Sequence, residues 1–261
     1  MIITLLSDFG GQDNFVGVAK GMLLQHLPDV RIIDLSHEVM PFHLLQCSYF
    51  LKSAYTYFPP QTIHLSLFDI MHQKPSVLLL SEIDGQYIVS ADNSLLPLTF
   101  PDKLKHTYKA GFEAFSYPEW ITKTAQFLRD WAAKDFSFDH LTPAEPLAGS
   151  LSLKPFVRAD SLECQVIHVD QYGNVVLNLS RTDFEQYRKG REFRIYFSRN
   201  DVINQISIDY ADVPEGDKLC LFNSGGFLEL AINKGSAAQL FGLSVMRDQQ
   251  LIYQKIKINF L

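Results

Sequence analysis

The chain has 261 residues, 47% of them hydrophobic and 20% charged, and its 29 acidic against 23 basic side chains give a formal charge of -6. That is enough chain for one large or two medium domains, and the acidic balance speaks against a nucleic-acid partner while leaving a cationic small ligand open. No apolar run approaches the roughly 20 residues needed to cross a bilayer, and the start runs into a strand pattern with no basic-then-apolar signal, so a cytoplasmic protein with no membrane partner is expected.

The first stretch, Ile2-Ile3-Thr4-Leu5-Leu6, is an apolar run that ends abruptly in Ser7-Asp8-Phe9-Gly10-Gly11-Gln12-Asp13. It reads as a buried strand delivering Asp8 to its carboxyl end, with a turn at Gly10 and Gly11 before a helix. Ligands of open α/β sheets sit outside the carboxyl ends of the strands, so Asp8 and Asp13 stand where a polar small molecule would be held. Two carboxylates suit ribose hydroxyls or a cation better than a phosphate, and no GxGxxG or GxxxxGK[ST] pattern follows. Capping of the next helix is the alternative role for both acids. Residues 15–26 carry apolar side chains at helical spacing and stop before Pro28. Residues 30–35 then form a second strand parallel to the first, which makes a βαβ unit. His37 follows, either as a ligand contact or bonded to a loop backbone. Pro41 and Phe42 open a helix over 44–57.

Residues 62–68 predict a third strand that ends on Asp69, and the loop 70–75 after it holds His72 and Lys74. Residues 77–80 and 87–90 read as strands turned at Asp84-Gly85, and Asp92-Asn93 again sets polar groups at a strand end. An amphipathic helix is predicted over 118–134. The segment 142–155 is rich in Pro, Ala, Gly and Ser, which divides the chain into an α/β domain over 1–155 and a second domain over 156–261. There the pattern changes to short strands at 164–170, 175–179, 194–197, 218–222, 227–232 and 250–258. Such strands with little helix must dispose of their edges, which predicts an all-β barrel, closed or half-closed. Cys47, Cys164 and Cys220 are odd in number, far apart and in apolar settings, so buried free thiols are expected rather than disulfides or a metal site.

Several segments together resemble one family. In the first domain they are Thr4-Leu5-Leu6-Ser7-Asp8-Phe9-Gly10, the tail from Asp13 to Gly17, Ile33-Asp34-Leu35-Ser36-His37 and Asp92-Asn93. In the second they are Asp170-Gln171-Tyr172-Gly173-Asn174 with Asn178, Asn223-Ser224-Gly225-Gly226-Phe227-Leu228-Glu229-Leu230-Ala231, and Gly235-Ser236-Ala237-Ala238. Their order and chemistry resemble the S-adenosylmethionine hydrolases (hydroxide adenosyltransferases), relatives of fluorinase and chlorinase. The resemblance implies an α/β domain followed by a β-barrel, and a homotrimer that binds its nucleoside ligand between the first domain of one subunit and the second domain of a neighbour. It implies S-adenosylmethionine as substrate or ligand, with no further cofactor and no metal.

Carried over by position, Asp8 would bind the ribose hydroxyls with Asp13 beside it, and Phe42 would pack along the ligand. Asp170 would hold the methionine ammonium, Ser224 the methionine carboxylate, and Asn174 the adenine edge with backbone help near Ala237. An acid meets an ammonium, a hydroxyl a carboxylate and an amide a purine edge, so each pairing is chemically sound. Turn geometry alone is the alternative reading of Tyr172-Gly173-Asn174 and of Ser224-Gly225-Gly226.

The family's reaction is an in-line displacement at ribose C5′ by water or hydroxide, which needs alignment and a group to deprotonate water. The family uses an Asp, Arg and His set for this. Asp69 stands at the Asp position, but the following loop lacks the arginine, and the family's His-Gly-Arg-Asp segment is set against Thr122-Lys123-Thr124-Ala125, without the histidine. Three readings follow. The chain is a hydrolase in which Asp69 orients water and His72 or Lys74 replaces the lost groups; or it binds S-adenosylmethionine or adenosine without catalysis; or it transfers halide, which Asp69 disfavours by repelling an incoming anion.

Overall fold

The computed structural model describes residues 1–196, 202–240, 242 and 255–261. It divides into two compact units, Met1–Leu151 and Ser152–Leu261. The first contains β1 (Ile2–Leu6), α1 (Phe15–His26), β2 (Arg31–Ser36), α2 (Leu44–Ala54), β3 (Ile63–Ser66), β4 (Ser76–Ile83), β5 (Gln86–Ala91), α3 (Leu95–Thr99), β6 (Tyr108–Ala114), α4 (Tyr117–Ala132) and β7 (Thr142–Pro143). Its seven strands lie in the order β2-β1-β3-β5-β4-β6-β7.

The strand runs β1 and β3 are buried almost throughout, as expected for strands covered on both faces. β2, β1, β3 and β5 are mutually parallel. β4 is antiparallel to β5 through the Asp84-Gly85 turn, where φ is 51° and 75°; two left-handed residues there match the twist of a tight hairpin. α4 starts where the Ser116 hydroxyl accepts from the Glu119 amide at 3.4 Å, and it packs Trp120, Ile121, Ala125 and Leu128 into the core. α1 buries only Ala19 and Leu23, so its apolar stripe is narrower than the sequence pattern suggested, and Phe15 turns to a surface aromatic cluster instead.

The parallel strands place their carboxyl ends on one edge of the sheet, and Ser76 at the start of β4 pairs with Ala114 at the end of β6 on that same edge. The edge therefore collects Asp8, His37, Asp69, Asp92, the loop 70–75 and the turn that opens α4.

The second unit contains β8 (Phe156–Arg158), β9 (Ser161–Val169), β10 (Val175–Ser180), α5 (Arg181–Arg188), β11 (Phe193–Tyr196), β12 (Val202–Ile203), β13 (Lys218–Phe222), β14 (Phe227–Ile232), α6 (Ala237–Leu240) and β15 (Lys255–Phe260). Its described strands are antiparallel in the order β12-β11-β15-β9-β10-β14-β13, with β8 on β9. The Ser207 amide donates to the Cys220 carbonyl at 2.8 Å, which brings the chain after β12 onto β13 and nearly closes the barrel. α5, capped by Ser180, was absent from the sequence reading; it drives Phe184 into the barrel core against Phe193 and Phe222, a burial that contributes about 1.5–3 kcal/mol. Position 197 and positions 250–254 of the expected strands lie outside the described residues. The three cysteines are free and buried, as expected. No described helix is long and apolar enough to cross a membrane.

Candidate ligand site

At the carboxyl edge of the first unit, Asp8 and Asp69 end the neighbouring parallel strands β1 and β3. The Phe42 amide donates to Asp8 Oδ2 at 3.4 Å, and Phe42 achieves this with φ 62° while the residue is 76% exposed. A bulky residue in the left-handed region is strained, and Asp69 (φ 41°) and Ser94 (φ 69°) share that strain on the same edge. Such outliers persist where the surroundings overdetermine them, commonly at functional sites. Burial pushes the Asp8 carboxyl above its ordinary value, the Phe42 amide and other backbone donors oppose this, and the Asp69 charge adds to the rise. Asp13 is exposed. Since α1 has no side-chain cap and no acid in its first turn, the capping role weighed for Asp8 and Asp13 does not apply.

His72 Nδ1 lies 2.7 Å from Asp69 Oδ2, and the His72 amide donates to the Asp69 carbonyl at 3.1 Å. Asn93, buried, holds the chain just before Asp69: its Nδ2 donates to the Phe68 carbonyl at 2.8 Å and its Oδ1 accepts from the Leu95 amide. Gln73 Nε2 donates to the Asp92 carbonyl and ties down the same loop. Lys74 is exposed. His37 is a structural link, with Nδ1 2.7 Å from the Ser7 hydroxyl and Nε2 3.1 Å from Asp34 Oδ1. Burial pulls the Asp34 carboxyl up, but Lys20 and His37 outweigh it and hold the group below its usual range.

Thr122-Lys123-Thr124-Ala125 lies inside α4, with Thr124 and Ala125 fully buried and Lys123 paired with Glu119 at 2.7 Å. The residues of this region that stand at the sheet edge open the helix instead. Tyr117 packs against Phe9 and Phe15 at ring distances of 5.5 and 6.2 Å and donates to the Phe15 carbonyl; burial pushes its hydroxyl up to about 12. The sequence reading missed this cluster, whose signal was the aromatic pair at Phe9 and Phe15 bracketing the glycine turn.

In the second unit a cavity of about 750 Å³ is lined by Asp170, Tyr172, Asn174, Tyr210, Lys234 and Ser236 among others. Asp170 Oδ1 accepts from the Tyr172 and Asn174 amides, each at 2.9 Å, and Oδ2 accepts from Asn174 Nδ2 at 3.0 Å. Gly173 makes this turn with φ 82°, and its carbonyl accepts from the Ala238 amide at 2.8 Å, which seats the segment carrying Ala237 on the turn. Asn174 and Ala237 are buried. Ser224 stands on the hairpin between β13 and β14, whose Asn223 Oδ1 accepts from the amides of Gly225 and Phe227. The structure thus groups Asp8, Phe42, Asp69 and His72 in one unit, and Asp170, Asn174 and the segment of Ala237 in the other.

A mixed sheet with acids along the carboxyl edge of its parallel strands, followed in the chain by an antiparallel barrel with an acid-and-amide cavity, defines a two-domain α/β and β-barrel protein with a polar candidate site in each unit. The sequence matches the SAM hydroxide adenosyltransferase N-terminal domain over residues 3–128 and the C-terminal domain of the same family over residues 164–249. The chain belongs to the SAM hydroxide adenosyltransferase family. It is similar to the (R)-S-adenosyl-L-methionine hydrolases of Methanocaldococcus jannaschii (27% identical, covering 97% of this chain and 96% of the relative) and Thermus thermophilus (26%, 92% and 95%). It is also similar to the fluorinase of Nocardia brasiliensis, at 25% identity over 93% of each chain. The crystal structure of an uncharacterized conserved protein from Thermotoga maritima shares the fold, with a TM-score of 0.79, 24% identity, and coverage of 99% of this chain and all of that one.

Proposed function

We propose that this protein is an S-adenosylmethionine hydrolase. Water or hydroxide attacks ribose C5′, the C5′–S bond breaks with its electron pair staying on sulfur, and adenosine, L-methionine and a proton leave. Asp8 accepts from the ribose hydroxyls, with Asp13 and Phe42 beside the nucleoside. Asp170 holds the methionine ammonium, Ser224 its carboxylate, and Asn174 with the backbone near Ala237 the adenine edge. Asp69 and His72 orient and deprotonate the water, and Lys74 adds positive charge at the loop. The Asp69–His72 contact carries the reading, because a carboxylate on Nδ1 leaves Nε2 as the basic nitrogen. Family membership and the hydrolase relatives support it. The same reading makes the protein a cytoplasmic homotrimer, which light scattering of the purified protein tests for its mass.

The runner-up is a protein that holds S-adenosylmethionine or adenosine without turning it over. The observation behind it is the loop Ile70-Met71-His72-Gln73-Lys74-Pro75, which has no arginine beside Asp69. Halide transfer fits less well, because Asp69 presents negative charge where an anion would enter. Incubating the protein with S-adenosylmethionine, following adenosine and methionine by chromatography and measuring binding by calorimetry separates these readings. Adenosine release above the buffer rate, lost in D69A, supports the hydrolase; tight binding with no release selects the binding protein; no binding overturns both.

A further inference from the structure

Glu229 is 4% exposed and lies on β14, facing neither solvent nor any described cation within ion-pair distance. Its Oε1 accepts from the Tyr210 hydroxyl at 2.6 Å, and its Oε2 accepts from Asn223 Nδ2 at 3.2 Å. The two donors belong to different walls of the second unit. Tyr210 lines the cavity together with Asp170 and Asn174. Asn223 uses its own Oδ1 to shape the hairpin that carries Ser224. Tyr210 rides on a short turn that is itself fixed, since Asp209 and Asp212 cap it through the Ala211 and Ile208 amides. One buried carboxylate therefore ties the cavity wall to the Ser224 hairpin.

A buried carboxylate is costly unless its partners repay it. Desolvation and the nearby Asp170 charge push the Glu229 group up, and the Tyr210 and Asn223 donors pull against them. Leu228 and Leu230 point to the opposite face, into the barrel core; on Glu229's own face the residue directly across on β13 is the buried Leu221, so an apolar side chain would suit this position without that cost. Stability alone does not account for an acid here.

We infer that Glu229 is a positioning residue which, by accepting from Tyr210 and Asn223 together, holds the Asp170 wall and the Ser224 hairpin in register for the two charged ends of one amino-acid group. The inference rests on the function proposed above, since that reading supplies an ammonium for Asp170 and a carboxylate for Ser224. It assigns Glu229 and Tyr210 to recognition of the amino-acid end and not of the nucleoside.

The test compares S-adenosylmethionine with adenosine, which lacks the amino-acid end, by calorimetry on the wild type, E229Q, E229A and Y210F. Losing a hydrogen bond to a charged group costs about tenfold or more, so E229Q and E229A are expected to bind S-adenosylmethionine at least about tenfold more weakly while adenosine affinity stays within about twofold. KM for S-adenosylmethionine rises by the same factor with kcat little changed. Y210F, which keeps the ring and removes one donor, gives part of the effect, and combining it with E229Q adds little further. E229Q preserves shape, so it answers the question even if E229A fails to fold. Variants that bind both ligands as the wild type does, or that weaken both equally, overturn the inference alone. A wild type that binds neither ligand overturns the proposed function and this inference with it.

Discussion

Asp69 and His72, three residues apart on one loop, share a 2.7 Å hydrogen bond between Oδ2 and Nδ1 at the carboxyl edge of the parallel strands. In the proposed mechanism the carboxylate favours the Nδ1–H tautomer and Nε2 takes a proton from water. Replacing His72 by Ala is expected to lower kcat by about 100- to 10,000-fold, the usual contribution of a positioned base, with a smaller change in KM. D69N keeps the shape and loses the charge, so it approaches the same loss. K74A costs less than either. Steady-state kinetics on the three variants checks the order, and an H72A enzyme with full kcat removes His72 from the mechanism.

Asp8 gives a pH test. Burial first, then the Asp69 charge, raises its carboxyl above the ordinary 3.8, against the Phe42 amide and other backbone donors. Ribose hydroxyls donate, so the ionised form binds them. Adenosine affinity is therefore full above the raised value and falls as the pH drops through it. D69N removes the repulsion and moves that midpoint down. D8N binds about 10- to 100-fold more weakly at pH 7 and loses this acid limb. Calorimetric titrations between pH 4 and 7 distinguish these outcomes, and an acid limb that persists in D8N assigns it to another group.

The carboxyl edge was legible because the apolar strand runs of β1, β3 and β5 stop on an acid or amide: Asp8, Asp69, Asp92-Asn93. β6 was not, because Tyr108–Ala114 mixes lysine, glutamate and glycine and buries only Ala110 and Ala114. α5 escaped for a similar reason, having Phe184 as its single buried residue among charged neighbours. The barrel followed from strand spacing, but the Tyr210–Glu229 bond joins residues 19 apart and exists only once the strands are paired. His72 was visible as a residue and not as a partner, since the loop conformation, with Asp69 at φ 41°, decides where its ring goes.

Gly173 tests how tightly the Asp170 turn is built. It has φ 82°, and a Cβ placed there would fall on the Ser236 hydroxyl. G173A is expected to lose about 2–5 kcal/mol, from backbone strain and overpacking together, and to weaken ligand binding as the segment of Ala237 moves off the turn. Adding S236G relieves the collision and leaves the strain, so the double variant recovers part of the loss. Urea unfolding measures both, and an unchanged G173A midpoint would mean that the two segments are not packed as described.

His64 sets an acid limit on the fold itself. Its Nδ1 lies 2.8 Å from Thr4 Oγ1 and its Nε2 meets Gln86 Oε1, inside a buried layer edged by the Tyr55 and Phe58 rings. The neutral ring satisfies both neighbours, accepting from the threonine hydroxyl and donating to the amide oxygen. Burial lowers its pKa below 6.5, and the Gln86 contact opposes this in part. The unfolded chain then binds the proton more readily than the folded one, so stability is full above about pH 6.5 and is lost as the pH falls below it, at no more than about 1.4 kcal/mol per pH unit. His43, also lowered by burial, has the same sign, which is why the variant must be compared with the wild type and not read alone. H64Q is expected to be less stable at pH 8 and to lose less on going to pH 5, so that the two thermal-midpoint curves converge. Curves that stay parallel from pH 8 to 5 would remove His64 as the source.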